Sequence, residues 1–291
     1  PRARAVALSG PASADLVEKL LASLRSSLSH VDDPDVSVDR LSRFIEVSRS
    51  PPALLALFER DQQALPALLQ VLATSPAIAD LPIRDPESFD LIRASDGRPA
   101  ARDVLIDELL GELQSVHSQR RAALTLRQFA GREILRIAYG EFVRGQTPDR
   151  VQRQLSHVHD AVLQAALAFA LESVTQSSPV PQRIDGTTPR FSIIALGNYG
   201  GQETGYGAPL DLLLLCDQID RKNASHVAFH RALAAGLVDL LASQYGGVAS
   251  MQLRFVHQPI DSGGGLPAHP RLGAFWEPGT GDDSLDFYGV E

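Results

Sequence analysis

The chain of 291 residues contains a single cysteine, Cys216, set inside an apolar run. One thiol excludes an internal disulfide framework and a cysteine-cluster metal site, and it fits a reducing compartment. Lysine is almost missing as well. Lys19 and Lys222 are the only two, and the remaining basic residues are arginines. The net charge is −8, which speaks against a broad nucleic-acid surface, because phosphate binding needs clustered cations. No apolar run approaches the ~20 residues that span a bilayer. The first residues lack the basic, then apolar, then small-residue order of a secretory signal. These absences lead us to expect a cytoplasmic protein with no nucleic-acid and no membrane partner.

What is present is apolar and helical. Hydrophobic residues make up 44% of the chain, enough to bury a sizeable core. Residues 12–176 read as a helical domain. Its early helices are punctuated by Pro34, Pro51, Pro52, Pro76 and Pro86, and Ser75-Pro76 and Asp85-Pro86 read as cap-plus-proline starts. Ile106, Leu109, Leu110, Leu113 and Val116 recur at helical spacing, and Leu124, Phe129, Leu135, Ala138 and Phe142 continue the apolar content. Together they predict one long helix over about 103–143, loosened at Gly131. Thr147 and Pro148 predict the start of the next helix, with Val151, Leu155, Val158, Val162 and Phe169 as its buried stripe. Residues 177–190 are a linker by composition. Residues 191–257 form a second domain: strands at Phe191–Leu196, Leu210–Cys216 and Ser250–His257, and a helix from Lys222 to Gln244. Residues 258–291 read as a loop-rich tail, which Trp276 could anchor.

Most of the chemical information lies in 191–217, FSIIALGNYGGQETGYGAPLDLLLLCD. It reads as strand, glycine turn, strand. Gly197, Gly200 and Gly201 form the turn, and Asp211 opens the second strand. Two readings fit the glycines: a tight turn kept for backbone reasons, or a phosphate-cradling loop. A lone aspartate beside such a loop is a candidate metal ligand. Nucleotidyl transfer asks a protein mainly to hold phosphates and to bridge them to Mg2+ through several carboxylates.

The run from Leu196 to Asp217 resembles the bifunctional glutamine synthetase adenylyltransferase/adenylyl-removing enzyme family, whose motif reads roughly LGKLGGxELxYGSDLDLIFLYD. The resemblance extends to SPAIADLPIRDPESFDLI at 75–92, LRQFAGREILRIAYGEF at 126–142 and LSHVHDAVLQAAL at 155–167, and covers about 35–257. It implies an α+β chain: an N-terminal all-helical domain, then a small polymerase-beta-like nucleotidyltransferase α/β domain. It also implies ATP and Mg2+ as cofactors, and glutamine synthetase and a nitrogen-signalling protein as partners. By the same resemblance, Gly197, Asn198, Gly200, Gly201 and Arg254 are the nucleotide-binding positions. Asp211 is the residual catalytic and metal-ligating carboxylate.

The departures from that pattern bear on activity. Asn198 stands where the family has a lysine. Ala208 and Pro209 replace a Ser-Asp pair, so one metal ligand is lost. In MQLRFVH, at 251–257, Gln252 takes the place of a third aspartate and Val256 that of a second arginine. We therefore expect a binding or regulatory pseudoenzyme. The alternative is an active Mg2+- and ATP-dependent nucleotidyltransferase using Asp211 with non-standard ligands, for which Glu203, Asp217 and Asp220 are the nearby acids. Arg254 suits either a phosphate contact or an ion pair with Asp211. Glu203 suits a helix cap or an arginine partner. Asp217 and Asp220 read as solvent-facing. His226 and His230 are spaced i, i+4 but have no third ligand. His157 and His159 point to different helix faces. Arg127, Arg132 and Arg136 read as an exposed face paired with Glu133.

Overall fold

A computed structural model describes residues 11–29, 31, 33–178, 180–181, 191–208, 210–217, 224–242 and 258–260. Among the described residues nine helices come first: α1 Pro11–Leu28, α2 Pro34–Val47, α3 Pro51–Arg60, α4 Ala64–Leu72, α5 Pro76–Arg84, α6 Pro86–Ala94, α7 Arg102–Leu113, α8 Gln119–Phe142 and α9 Pro148–Ser177. Strand β1 (Phe191–Leu196), a one-turn helix α10 (Gly197–Gly200), β2 (Asp211–Asp217), α11 (Ala224–Ala242) and β3 (Gln258–Ile260) follow. The described chain is thus α+β, mostly helical with a small sheet.

Helices do start at Pro34, Pro51, Pro76 and Pro86, but Ser75, expected to cap the helix at Pro76, makes no side-chain capping bond. Proline suits the first helical turn, where its missing N–H has no intrahelical partner to lose. Asp33 accepts a hydrogen bond from the Val36 amide at 3.1 Å, and Ser50 one from the Ala53 amide at 3.4 Å, so each caps the helix that follows it.

The chain folds into two compact units, one of residues up to Pro99 with Gly131–Val151, the other of Ala100–Ala130 with Gln152 onward. In the first unit α4 is the central element. Ala64, Leu65, Ala67, Leu68, Leu69, Val71 and Leu72 are all buried, as expected of a helix that is apolar almost all round. Its C-terminus is closed by Arg40, whose guanidinium donates to the carbonyls of Leu72 (2.5 Å) and Thr74 (2.8 Å). A cation there offsets the exposed carbonyls of the last turn. Phe44, Phe89 and Tyr139 stack edge to face with centroids 6.2 and 6.5 Å apart.

In the second unit the sheet has the order β1-β2-β3. β1 and β2 run antiparallel, with Phe191 opposite Cys216 and Leu196 opposite Asp211. β3 runs parallel to β2 at the edge, where Pro259 removes no ladder hydrogen bond that a central strand would need. The α11 helix packs on β1 through Phe191 and Phe229, ring centroids 6.2 Å apart.

Several expectations are corrected. The single helix over 103–143 is two helices, with α7 ending at Leu113 and α8 starting at Gln119. The cause lies in the apolar phase: buried Leu113 and buried Ala122 are about two and a half turns apart at ~3.6 residues per turn, so one straight helix would put them on opposite faces. Ser118 restarts the helix, its hydroxyl accepting from the Arg121 amide at 3.3 Å. At Gly131, by contrast, α8 runs on without a break. In the tail, Gln258–Ile260 is a strand rather than loop, because it pairs with Leu215–Asp217. The strand expected at 250–257 lies outside the described residues, as does Trp276. Leu124 and Phe142, counted toward the apolar face, are 48% and 40% exposed.

Candidate functional site

The sequence-predicted glycines come together in one turn between β1 and β2. Gly197 has φ +55°, a left-handed conformation that glycine adopts without steric cost. Gly200 packs its α-carbon against the backbone, and a Cβ there would lie 2.6 Å from the Ala195 carbonyl oxygen. The turn closes through backbone bonds from the Gly201 amide to the Gly197 carbonyl (3.0 Å) and from the Glu203 amide to the Asn198 carbonyl (2.7 Å). Gly197, Asn198, Gly200 and Gly201 form the exposed lip of this turn.

Asp211 lies over that lip. The β1–β2 register sets it opposite Leu196, one residue before the turn. Its Oδ2 would be 3.5 Å from a Cβ added to Gly197. The carboxylate is half-buried and makes no hydrogen bond or ion pair among the described residues. Glu203 flanks the other end of the turn, its carboxyl carbon 3.7 Å from where a Cβ on Gly201 would be. Among the described residues, no group of three or more His, Cys, Asp or Glu side chains converges to hold a metal ion. Mg2+ prefers several oxygen ligands in octahedral geometry. Asp211, above the lip, and Glu203, at its other end, are the described carboxylates beside the turn glycines. Pro209, Gln252, Arg254 and Asp220, with the side chain of Asp217, lie outside the described residues.

Sequence reasoning missed what holds the turn in place. Tyr199, between the exposed lip residues, points inward and is 4% exposed. Its hydroxyl donates to Asp160 Oδ1 on α9 at 2.7 Å. The other carboxylate oxygen of Asp160 accepts from Arg102 Nε, at the start of α7, at 2.5 Å. That hydrogen bond raises the Arg102 pKa above its ordinary value. The neighbouring His159 ring meets Tyr199 edge on, centroids 5.7 Å apart. Burial lowers the His159 pKa to about 4, against the pull of Asp160, so the ring is neutral near pH 7. Thr204, just past the turn, is wholly buried and its hydroxyl has no partner among the described residues. The only local signal for Tyr199 was an aromatic residue in the middle of a glycine turn.

The other candidates resolve differently. His230 donates through Nδ1–H to the His226 carbonyl at 2.6 Å, a helix-internal bond, and burial lowers its pKa. Arg132 and Arg136 pair with Glu133 at 3.4 and 3.2 Å as expected, but Glu133 is buried rather than on an exposed face, and Arg127 has no such partner among the described residues.

Comparison with known proteins supplies the context. A family profile described as glutamate-ammonia ligase adenylyltransferase matches residues 65–254. The bifunctional glutamine synthetase adenylyltransferase/adenylyl-removing enzyme of Pseudomonas aeruginosa is 28% identical over 255 residues, 83% of this chain and 26% of that protein. The protein of the same name from Corynebacterium glutamicum is 26% identical over 204 residues, 69% of this chain and 19% of its own length. The one from Pseudomonas putida is 29% identical over 235 residues, covering 76% and 24%. The chain therefore spans only a fifth to a quarter of these relatives. No helix among the described residues is long and apolar enough to cross a membrane. With most of its length inside the matched profile and the family's glycine turn folded between two paired strands, the chain belongs to the glutamate-ammonia ligase adenylyltransferase family.

Proposed function

We propose that this chain is a catalytically silent member of its family, a binding or regulatory module in the control of glutamine synthetase. The turn-and-strand frame supports descent from a polymerase-beta-like nucleotidyltransferase. One observation carries the inactive reading: among the described residues, no group of three or more His, Cys, Asp or Glu side chains gathers around Asp211 to hold a metal ion. Sequence adds to it. Asn198, Pro209 and Gln252 occupy places where the family pattern has a lysine and two metal-binding aspartates. Losing one well-placed electrostatic group in an active site costs ~2.7–4 kcal/mol of barrier, so the loss of several leaves little turnover.

On this reading the module keeps the surface of a nucleotidyltransferase and uses it to engage partners of the family, glutamine synthetase and a nitrogen-signalling protein, in a cytoplasmic setting. Titration calorimetry with ATP, with and without Mg2+, is the direct test. We expect no Mg2+-dependent binding, and no labelled AMP moving onto or off glutamine synthetase. Micromolar, Mg2+-dependent ATP binding that disappears in Asp211→Ala would overturn the proposal in favour of an active enzyme using ATP and Mg2+.

A further inference from the structure

The first half of α8 carries Arg120, Arg121 and Arg127. All three are exposed, and none makes an ion pair among the described residues. Further along the same helix, Arg132 and Arg136 are both held by Glu133. Leu124 lies between Arg120 and Arg127 and is 48% exposed. Arg120, Leu124 and Arg127 follow the i, i+4, i+7 spacing of a single helix face. Together with Gln119, Ala123 and, on α11, Asp239, they line an open groove of about 520 Å³.

The arrangement selects its occupant. Arg120 and Arg127 are separated by about 10.5 Å along the helix axis, with an apolar side chain between them. A single small hydrated anion would gain little from Leu124. A helix offering carboxylates at the same seven-residue spacing, with an apolar residue between, matches all three positions. Asp239, the lining residue from α11, repels carboxylates and so favours placing them beside the α8 arginines. An amphipathic helix lying in a groove is a recurring mode of recognition, and arginine is enriched at such contacts.

We propose that this groove docks an acidic amphipathic helix of a partner protein, with carboxylates on Arg120 and Arg127 and an apolar side chain covering Leu124. The proposal does not depend on whether the glycine turn is active.

The test uses the full chain and fluorescein-labelled helical peptides, read by fluorescence anisotropy. One peptide carries Glu at i and i+7 with Leu at i+3 and i+4; its control carries Lys in place of Glu. The acidic peptide should bind saturably and weaken several-fold at about 0.5 M salt, where screening is short-ranged. Arg120→Glu with Arg127→Glu should weaken it about tenfold or more, Leu124→Ala several-fold, and Asp239→Asn should strengthen it. All four side chains are exposed, so thermal melts of the variants should match the parent and separate lost binding from lost folding. Equal binding of both peptides, no saturable binding, or binding indifferent to the arginine reversals would overturn the proposal. So would a single-stranded oligonucleotide that binds more tightly than the acidic peptide through the same arginines.

Discussion

The hydroxyl of Tyr199 donates to the carboxylate of Asp160 at 2.7 Å, and this one bond ties the glycine turn to helix α9. Arg102 holds the same carboxylate from the other side, so the turn, α7 and α9 share a single anchor. Glycines give a turn its shape but no fixed position, because they carry no side chain to pack. Here the position comes from Tyr199, pinned by Asp160 and by the edge of the His159 ring.

Tyr199→Phe removes the bond while keeping the ring. It should destabilise the second unit by about 1.5–3 kcal/mol, the range for a hydrogen bond to a charged group. Asp160→Ala should cost more, because it leaves the buried hydroxyl unpaired and also removes the hydrogen bond from Arg102. Urea unfolding of the two single variants and the double variant gives the coupling, expected at about 1 kcal/mol or more. A coupling near zero would show that the contact contributes no pairwise stability.

His159 gives the fold a pH dependence. Its folded pKa of about 4 lies below the ordinary 6.5, because burial excludes the charged ring. Between those values the unfolded chain binds a proton that the folded chain refuses. Stability therefore rises with pH across the window and is lost as pH falls from about 6.5 toward about 4, by up to roughly 3 kcal/mol. His159→Gln should flatten that part of the profile. Denaturant midpoints from pH 4 to 7 for the parent and variant would show it, and identical slopes would count against a buried neutral ring.

How far these features could be read from the sequence differs by feature. Helix starts at Pro34, Pro51, Pro76, Pro86 and Pro148 were visible because capping is local chemistry. So were β1, β2 and the glycine turn, whose apolar runs and punctuation are contiguous. The break before α8 was hidden because the spacing on either side is helical, and only the phase slip between Leu113 and Ala122 reveals it. Asp160 was hidden for a different reason. It is distant in sequence from Tyr199, and an aspartate on a helix otherwise reads as a solvated charge. The short strand with Pro259 was missed because proline argues against a strand except at an edge, and the edge position is a property of the whole sheet.

The glycines of the turn are not equivalent. At Gly200 a Cβ would come within 2.6 Å of the Ala195 carbonyl oxygen, a backbone atom that cannot swing away. At Gly205 nothing lies within 4 Å and no left-handed φ is required. Gly200→Ala should therefore lower stability by about 1–3 kcal/mol, the usual range for overpacking. Gly205→Ala should change it by less than about 0.5 kcal/mol, or raise it slightly by restricting the unfolded chain. Thermal melts of the pair would test the geometry of the turn directly.

If the chemistry has decayed on an intact frame, restoring the side chains should restore part of it. Asn198→Lys returns the cation of the glycine turn, and Pro209→Asp with Gln252→Asp returns two carboxylates to act beside Asp211. Each change alone should do little, because ligands of one metal act as a unit and their effects are far from additive. The triple variant should gain Mg2+-dependent ATP binding by calorimetry, absent from the parent, and lose it again when Asp211→Ala is added. Binding is the better readout than turnover, since it needs only that the carboxylates reach a common ion. A parent that already binds ATP with Mg2+ as tightly as the triple variant would mean that the existing residues complete the site without those carboxylates.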